Sequence, residues 1–200
     1  MRIFSLLLAA LLLLGPTNAF AEQVGHILRL QGQAAANGRS LAVGSALSLG
    51  ERLTTGPNAR LLAELNDGTE LTLGANAEFT IDELVIAPEK ASALFHLTKG
   101  AFRMIGGAVA RAPDHRMEVT APIGTIGIRG TDVWGGSLES PLDVFLLEGE
   151  VSVTSKAGTV ILNRPGQGTS VVGADSAPSL PHFWKPDLKN RAYATVSFDQ

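Results

Sequence analysis

The chain has 200 residues, with 19 acidic against 16 basic side chains, a formal net charge of −3 and no cysteine. Lack of cysteine excludes disulfides, thiol catalysis, thiolate metal sites and a cysteine-linked lipid anchor. A mildly acidic balance, with lysines and arginines scattered along the chain, lacks the footprint of a nucleic-acid or anionic-membrane binder.

Residues 1–21 read as an export signal: Arg2 gives a short positive start, and Leu6 to Leu14 is almost unbroken apolar sequence. Gly15-Pro16 ends any helix, and Ala19-Phe20-Ala21 supplies the small residues of a cleavage site. The apolar run is shorter than the ~20 residues that cross a bilayer, so cleavage before Glu22 is expected and direct membrane insertion afterwards is not. The mature chain should be one periplasmic or released domain, large enough for its own core.

From there the pattern is short strands punctuated by glycine. Val24–Leu30 and Ala34–Ala36 precede Asn37-Gly38, a hairpin signal because both residues tolerate the positive φ of a type I′ turn. Asp67-Gly68 repeats the device between Leu61–Leu65 and Glu70–Leu73. Further strands are expected at 79–81, 84–86, 94–97, 101–105, 118–120, 125–128, 144–147, 150–154, 159–162 and 169–172. No window of the main body holds a convincing amphipathic helix. Strand–glycine–strand units recur at 59–73, 94–104 and 144–153. Residues 22–173 are therefore expected to form an all-β domain, a short β-solenoid or roll of stacked strand–turn–strand units, with a β-sandwich as the alternative.

From Ala174 the composition shifts, and the prolines of 177–186 exclude a central strand. Asp187 is expected to cap a short helix through Ala194, with Phe183 and Trp184 packing at its entrance. Residues 174–200 thus read as a tail docked on the β-domain. The alternative is a disordered tail whose Phe-Trp pair binds a partner.

The stretch Ala121 to Val133, A-P-I-G-T-I-G-I-R-G-T-D-V, places glycines at 124, 127 and 130 beside Arg129 and Asp132. This spacing is neither a dinucleotide nor a P-loop motif, and no helix opens after it to meet an anion. The glycines are expected to let strands or a turn approach closely. Arg129, flanked by apolar neighbours, is expected to be internal glue, donating to backbone carbonyls or a carboxylate. The alternative is a contact with a partner. His26, His96, His115 and His182 show no metal-ligand spacing, and no nucleophile elbow accompanies the serines. No catalytic residue, metal or cofactor is assigned.

Two segments carry a family resemblance. Gly50-Glu51-Arg52-Leu53-Thr54-Thr55-Gly56 with Leu65-Asn66-Asp67-Gly68-Thr69-Glu70-Leu71-Thr72-Leu73 resembles the first half of the FecR domain. Val119-Thr120-Ala121-Pro122-Ile123-Gly124-Thr125-Ile126-Gly127-Ile128-Arg129-Gly130-Thr131, followed by Leu147-Glu148-Gly149-Glu150-Val151, resembles the second. The likeness runs over about residues 24–172 and marks Gly124, Gly127, Arg129, Gly130 and Thr131 as family-motif positions. It implies an all-β fold and protein–protein signalling without enzyme activity. Regulators of that family carry a cytoplasmic anti-sigma segment, a membrane helix and a module that contacts a TonB-dependent receptor. A cleavable signal departs from that plan, so the expectation is a stand-alone periplasmic module serving an envelope or membrane sensor protein. Contact is expected by strand addition on an exposed edge, or in a groove near Arg129 and Trp134. A small-ligand or glycan-binding module, lined by Arg129, Trp134 and Trp184, is the second reading.

Overall fold

The computed structural model describes residues 22–87 and 89–199. The expected export signal lies outside the described residues. Sixteen strands join one curled, open sheet. They are β1 (Gln23–Gln31), β2 (Ala34–Ala36), β3 (Arg39–Ser40), β4 (Ala46–Ser48), β5 (Arg52–Thr55), β6 (Arg60–Leu65), β7 (Glu70–Leu73) and β8 (Glu78–Val85). After these come β9 (Ser92–Lys99), β10 (Phe102–Ile105), β11 (Arg116–Ala121), β12 (Gly124–Gly136), β13 (Leu142–Ser155), β14 (Gly158–Leu162), β15 (Gln167–Val171) and β16 (His182–Phe183). Two helices, α1 (Ala108–Arg111) and α2 (Pro186–Val196), complete the described residues. The all-β expectation holds.

Period-two burial builds the sheet. In β6 the odd positions Leu61, Ala63 and Leu65 are buried while Arg60, Leu62 and Glu64 are half-exposed, and β7 continues the alternation. Alternating apolar residues bury one face of each strand, and the buried faces of strands from β1 to β15 meet in one cluster.

Strands β12 and β13 are long because each serves two layers. Layer one runs β3-β2-β5-β8-β9-β11, then residues 125–129 of β12, residues 150–154 of β13 and finally β14. Layer two runs β4-β1-β6-β7-β10, then residues 132–136 of β12, residues 143–148 of β13, β15 and β16. Among the described residues only β9 and β11 pair in parallel; the other pairs are antiparallel.

Several local readings are corrected. Asn37-Gly38 forms the expected hairpin, with φ of 48° and 83° and Ala36 opposite Arg39. At Asp67-Gly68 only Gly68 has positive φ, 78°, and Gly68 N donates to Leu65 O at 2.8 Å. That is a three-residue loop ending in a glycine bulge rather than a second type I′ turn. Lys99-Gly100 joins no hairpin: β9 pairs with β8 and β11, β10 with β7 and β12, so the chain crosses between layers there. Glu148-Gly149 is no turn either, because β13 runs through it. Of the three repeated units, only 59–73 is a simple hairpin.

The tail docks, but differently from expectation. Helix α2 spans Pro186–Val196, with Lys185 as its N-cap and no side-chain capping bond; Asp187 sits in the first turn. Pro186 starts the helix at a position whose N–H has no intrahelical acceptor. Trp184 is buried, whereas Phe183 is 57 % exposed.

Candidate interaction site at the sheet corner

The 121–133 stretch forms the corner where layer one becomes layer two. Its register with β13 breaks between Arg129 and Asp132 and again before Val133. Gly130 has φ of 120° and Gly149, across the break, has φ of 88°. A Cβ on Gly130 would lie 2.7 Å from Gly149 Cα, so the two strands touch backbone to backbone at the bend. Bulges of this kind sharpen twist and re-aim side chains.

Arg129 emerges at this corner, exposed and opposite Glu150. The expectation of internal glue is therefore corrected. On a strand, neighbours alternate faces: Ile128 is buried, so Arg129 is turned outward. No ion pair joins it to another described residue. The arginine that does act as glue is Arg103 on β10. Its Nε and terminal nitrogen donate to the two carboxylate oxygens of Asp132 at 2.9 and 2.6 Å. This fork-to-fork pair, half-buried, holds the Arg103 guanidinium charged above the ordinary arginine range, chiefly through the Asp132 hydrogen bond. Arg103 was not singled out from the sequence, because only the pairing of β10 with β12 brings it to Asp132.

A cleft of about 370 Å³ opens beside Arg129, between residues of β11, β12, β13 and β14. Its floor is a cross-strand row, Glu118 opposite Gly127, Gly127 opposite Ser152 and Ser152 opposite Ile161. Gly127 has no side chain to fill that row, and a Cβ there would meet Ser152 Oγ at 2.5 Å. His115 forms one wall. Its Nδ1 lies 2.6 Å from Ala112 O and its Nε2 3.1 Å from Ile128 O, which ties the loop before β11 to β12. Arg116 and Glu118 bind each other through two bonds of 3.0 and 2.9 Å, and this hydrogen bonding raises the Arg116 pKa. Two local cations thus differ: Arg116 is matched, while Arg129 presents its five donors to the cleft and to solvent.

The other site candidates fall elsewhere. Trp134 and Trp184 are 1 % and 3 % exposed. Trp184 stacks on Phe145 at 4.9 Å between ring centroids and meets Trp134 edge-on at 5.9 Å. Trp134 Nε1 donates to Thr195 Oγ1 of α2 at 2.9 Å. Both rings are packed beneath the tail and offer no face to a partner or sugar. This corrects the contact role given to Trp134 and the second reading given to Trp184, and agrees with the packing expected of Trp184 at the helix entrance. The Asp67-Gly68-Thr69 motif is also internal. Asp67 Oδ2 accepts from Thr69 Oγ1 at 2.9 Å and from Val109 N at 3.2 Å, and Thr69 Oγ1 accepts from Gly107 N at 2.9 Å. It pins α1 to the β6–β7 loop. Among the described residues, no group of three or more histidine, aspartate or glutamate side chains is placed to hold a metal ion.

A family model described as FecR protein matches residues 51–152. Two crystal structures of a candidate anti-sigma factor from Parabacteroides distasonis ATCC 8503 share the fold, with TM-scores of 0.58 and 0.56 at 13 % and 12 % identity. The alignments cover 72 % and 70 % of this chain and 63 % and 62 % of those chains. This chain thus spans less than two thirds of their length, and at such identity the likeness is one of fold. No curated protein matches the chain.

Proposed function

The chain belongs to the FecR protein family, whose role is regulatory, and from that premise we propose a non-enzymatic interaction module of the bacterial cell envelope. In this reading it is exported, loses residues 1–21, and works in the periplasm as the contact partner of a membrane-bound sensor or another envelope protein. The curled sheet acts in this reading as a roll whose shared strands, β12 and β13, carry the contact residues.

One observation supports the reading above the others. Arg129, within the family motif, is an exposed guanidinium on a braced strand beside a cleft, with no ion-pair partner among the described residues. A fixed arginine fork suits a carboxylate or backbone carbonyls of a partner. The glycan-binding alternative loses its aromatic platform, because both tryptophans are buried.

In-cell photo-crosslinking from Ser152, on the cleft floor, tests this. A defined partner should be captured, and Arg129→Ala should lower the yield at least about tenfold while thermal unfolding stays unchanged, because exposed substitutions shift stability by about 0.5 kcal/mol or less. Recovery of nonspecific neighbours alone, or a yield indifferent to Arg129→Ala, would sink it.

A further inference from the structure

Layer one ends in β14, which pairs with β13 on one side only. Alternate residues of an antiparallel edge strand turn both backbone groups outward, so β14 offers a row of unmatched donors and acceptors. Proteins usually guard such an edge with charge, proline, a bulge or brevity. Within β14 itself these guards are missing; Lys156, Arg164 and Pro165 stand only beyond its ends. The strand reads Gly-Thr-Val-Ile-Leu, and its register with β13 is unbroken from Gly158 opposite Ser155 to Leu162 opposite Val151. The other ends of the sheet are shorter: β3 has two residues including Arg39, β4 has three, and β16 has two beside Pro181.

The chemistry around this edge selects an occupant. Ile161 is 52 % exposed and also borders the cleft. Cations flank both ends. Lys156, 77 % exposed, precedes the strand; Arg164 follows it, over the Phe183 ring at 5.4 Å. Asp175 lies 3.7 Å from Lys156 Nζ, but at 92 % exposure it neutralises little. Antiparallel pairing with a second copy, centred on Val160, would set Lys156 against Arg164 of that copy, a like-charge clash at each end.

We propose that the free edge of β14 is a strand-addition site for one extended segment of a partner protein, uncharged and β-branched at its centre and acidic on both flanks. Main-chain bonds to β14 supply affinity, and Lys156 and Arg164 select the flanks. This deepens the interaction reading above and rests on it.

The test uses the mature chain and two labelled peptides, Glu-Glu-Thr-Val-Thr-Val-Thr-Glu-Glu and the same sequence with lysine for glutamate. By fluorescence anisotropy at low salt the acidic peptide should bind at least about tenfold more tightly, the worth of a few exposed ion pairs. Hydrogen exchange should show new protection at residues 158–162. The double variant Lys156→Glu, Arg164→Glu should reverse the preference between the peptides. Equal affinities, protection confined to other segments, or a peptide-free dimer already protected at 158–162 would each overturn the proposal. Peptide failure alongside an Arg129-dependent partner in cells removes the edge site and leaves the interaction reading standing. Peptide failure with no such partner removes both.

Discussion

Gly130 and Gly149 meet where no side chain has room. An alanine at 130 would face two costs: the backbone holds φ of 120°, and the new Cβ would lie 2.7 Å from Gly149 Cα. Strain and overpacking each cost about 1–3 kcal/mol, so Gly130→Ala should lose on the order of 3 kcal/mol. Gly38→Ala is the matched control. That position also has positive φ, 83°, but nothing lies within 4 Å of its Cβ position, so its loss should be near 1 kcal/mol. Urea denaturation of both variants decides the matter: equal losses would show that the close approach is unimportant. At the same scale, a local reading misplaced the structural arginine. Apolar neighbours around Arg129 suggested an interior position, whereas strand alternation puts a residue on the face opposite its neighbours. Its guanidinium is outside, and the internal pair is made by Arg103 with Asp132, 29 positions apart. Such a partner emerges only from strand pairing.

Turn-forming dipeptides were legible when the turn chemistry was local, and ambiguous when pairing decided the outcome. Asn37-Gly38 makes its hairpin because both residues accept positive φ and the flanking strands are adjacent. Glu148-Gly149 carries a similar signal, yet a glycine with positive φ suits a bulge within a strand as well as a turn. β12 pairs with β13 on both sides of that glycine and decides for the bulge. The docked tail was legible from its aromatic pair, but not which ring would be buried. Trp184 now lies against Gly168 and stacks on Phe145, while α2 adds only Ala192 and Val196 as buried residues. The ring therefore anchors the tail more than the helix does. Trp184→Ala should cost about 3–5 kcal/mol, the usual range for a buried aromatic truncated to alanine. Tyr193→Ala removes a ring that is 37 % exposed and meets Phe145 edge-on at 6.1 Å, so it should cost less, about 1–2 kcal/mol. Thermal or chemical unfolding of the two variants checks the order, and a larger loss at Tyr193 would make the helix, not the ring, the anchor.

Across the molecule, two layers share β12 and β13, so neither can unravel without breaking strands of the other. Residues 125–129 and 150–154 belong to layer one, and 132–136 with 143–148 to layer two, with one buried cluster spanning both. The tail is bound into the same unit, because its ring stack is completed by Trp134 of β12 and Phe145 of β13. This arrangement predicts a single cooperative transition. Both tryptophans of the chain sit in that stack, so their fluorescence reports tail docking, while far-UV circular dichroism reports the sheet. The two midpoints in urea should coincide, as they do for one cooperative unit. If fluorescence changed at clearly lower urea, the tail would undock first and uncover Trp134 and Phe145 before the sheet melts. Coincidence has a functional consequence. Arg129 and the cleft are carried on the shared strands, so their geometry is as stable as the whole domain. A partner would then meet a preformed surface and lose little affinity to ordering it.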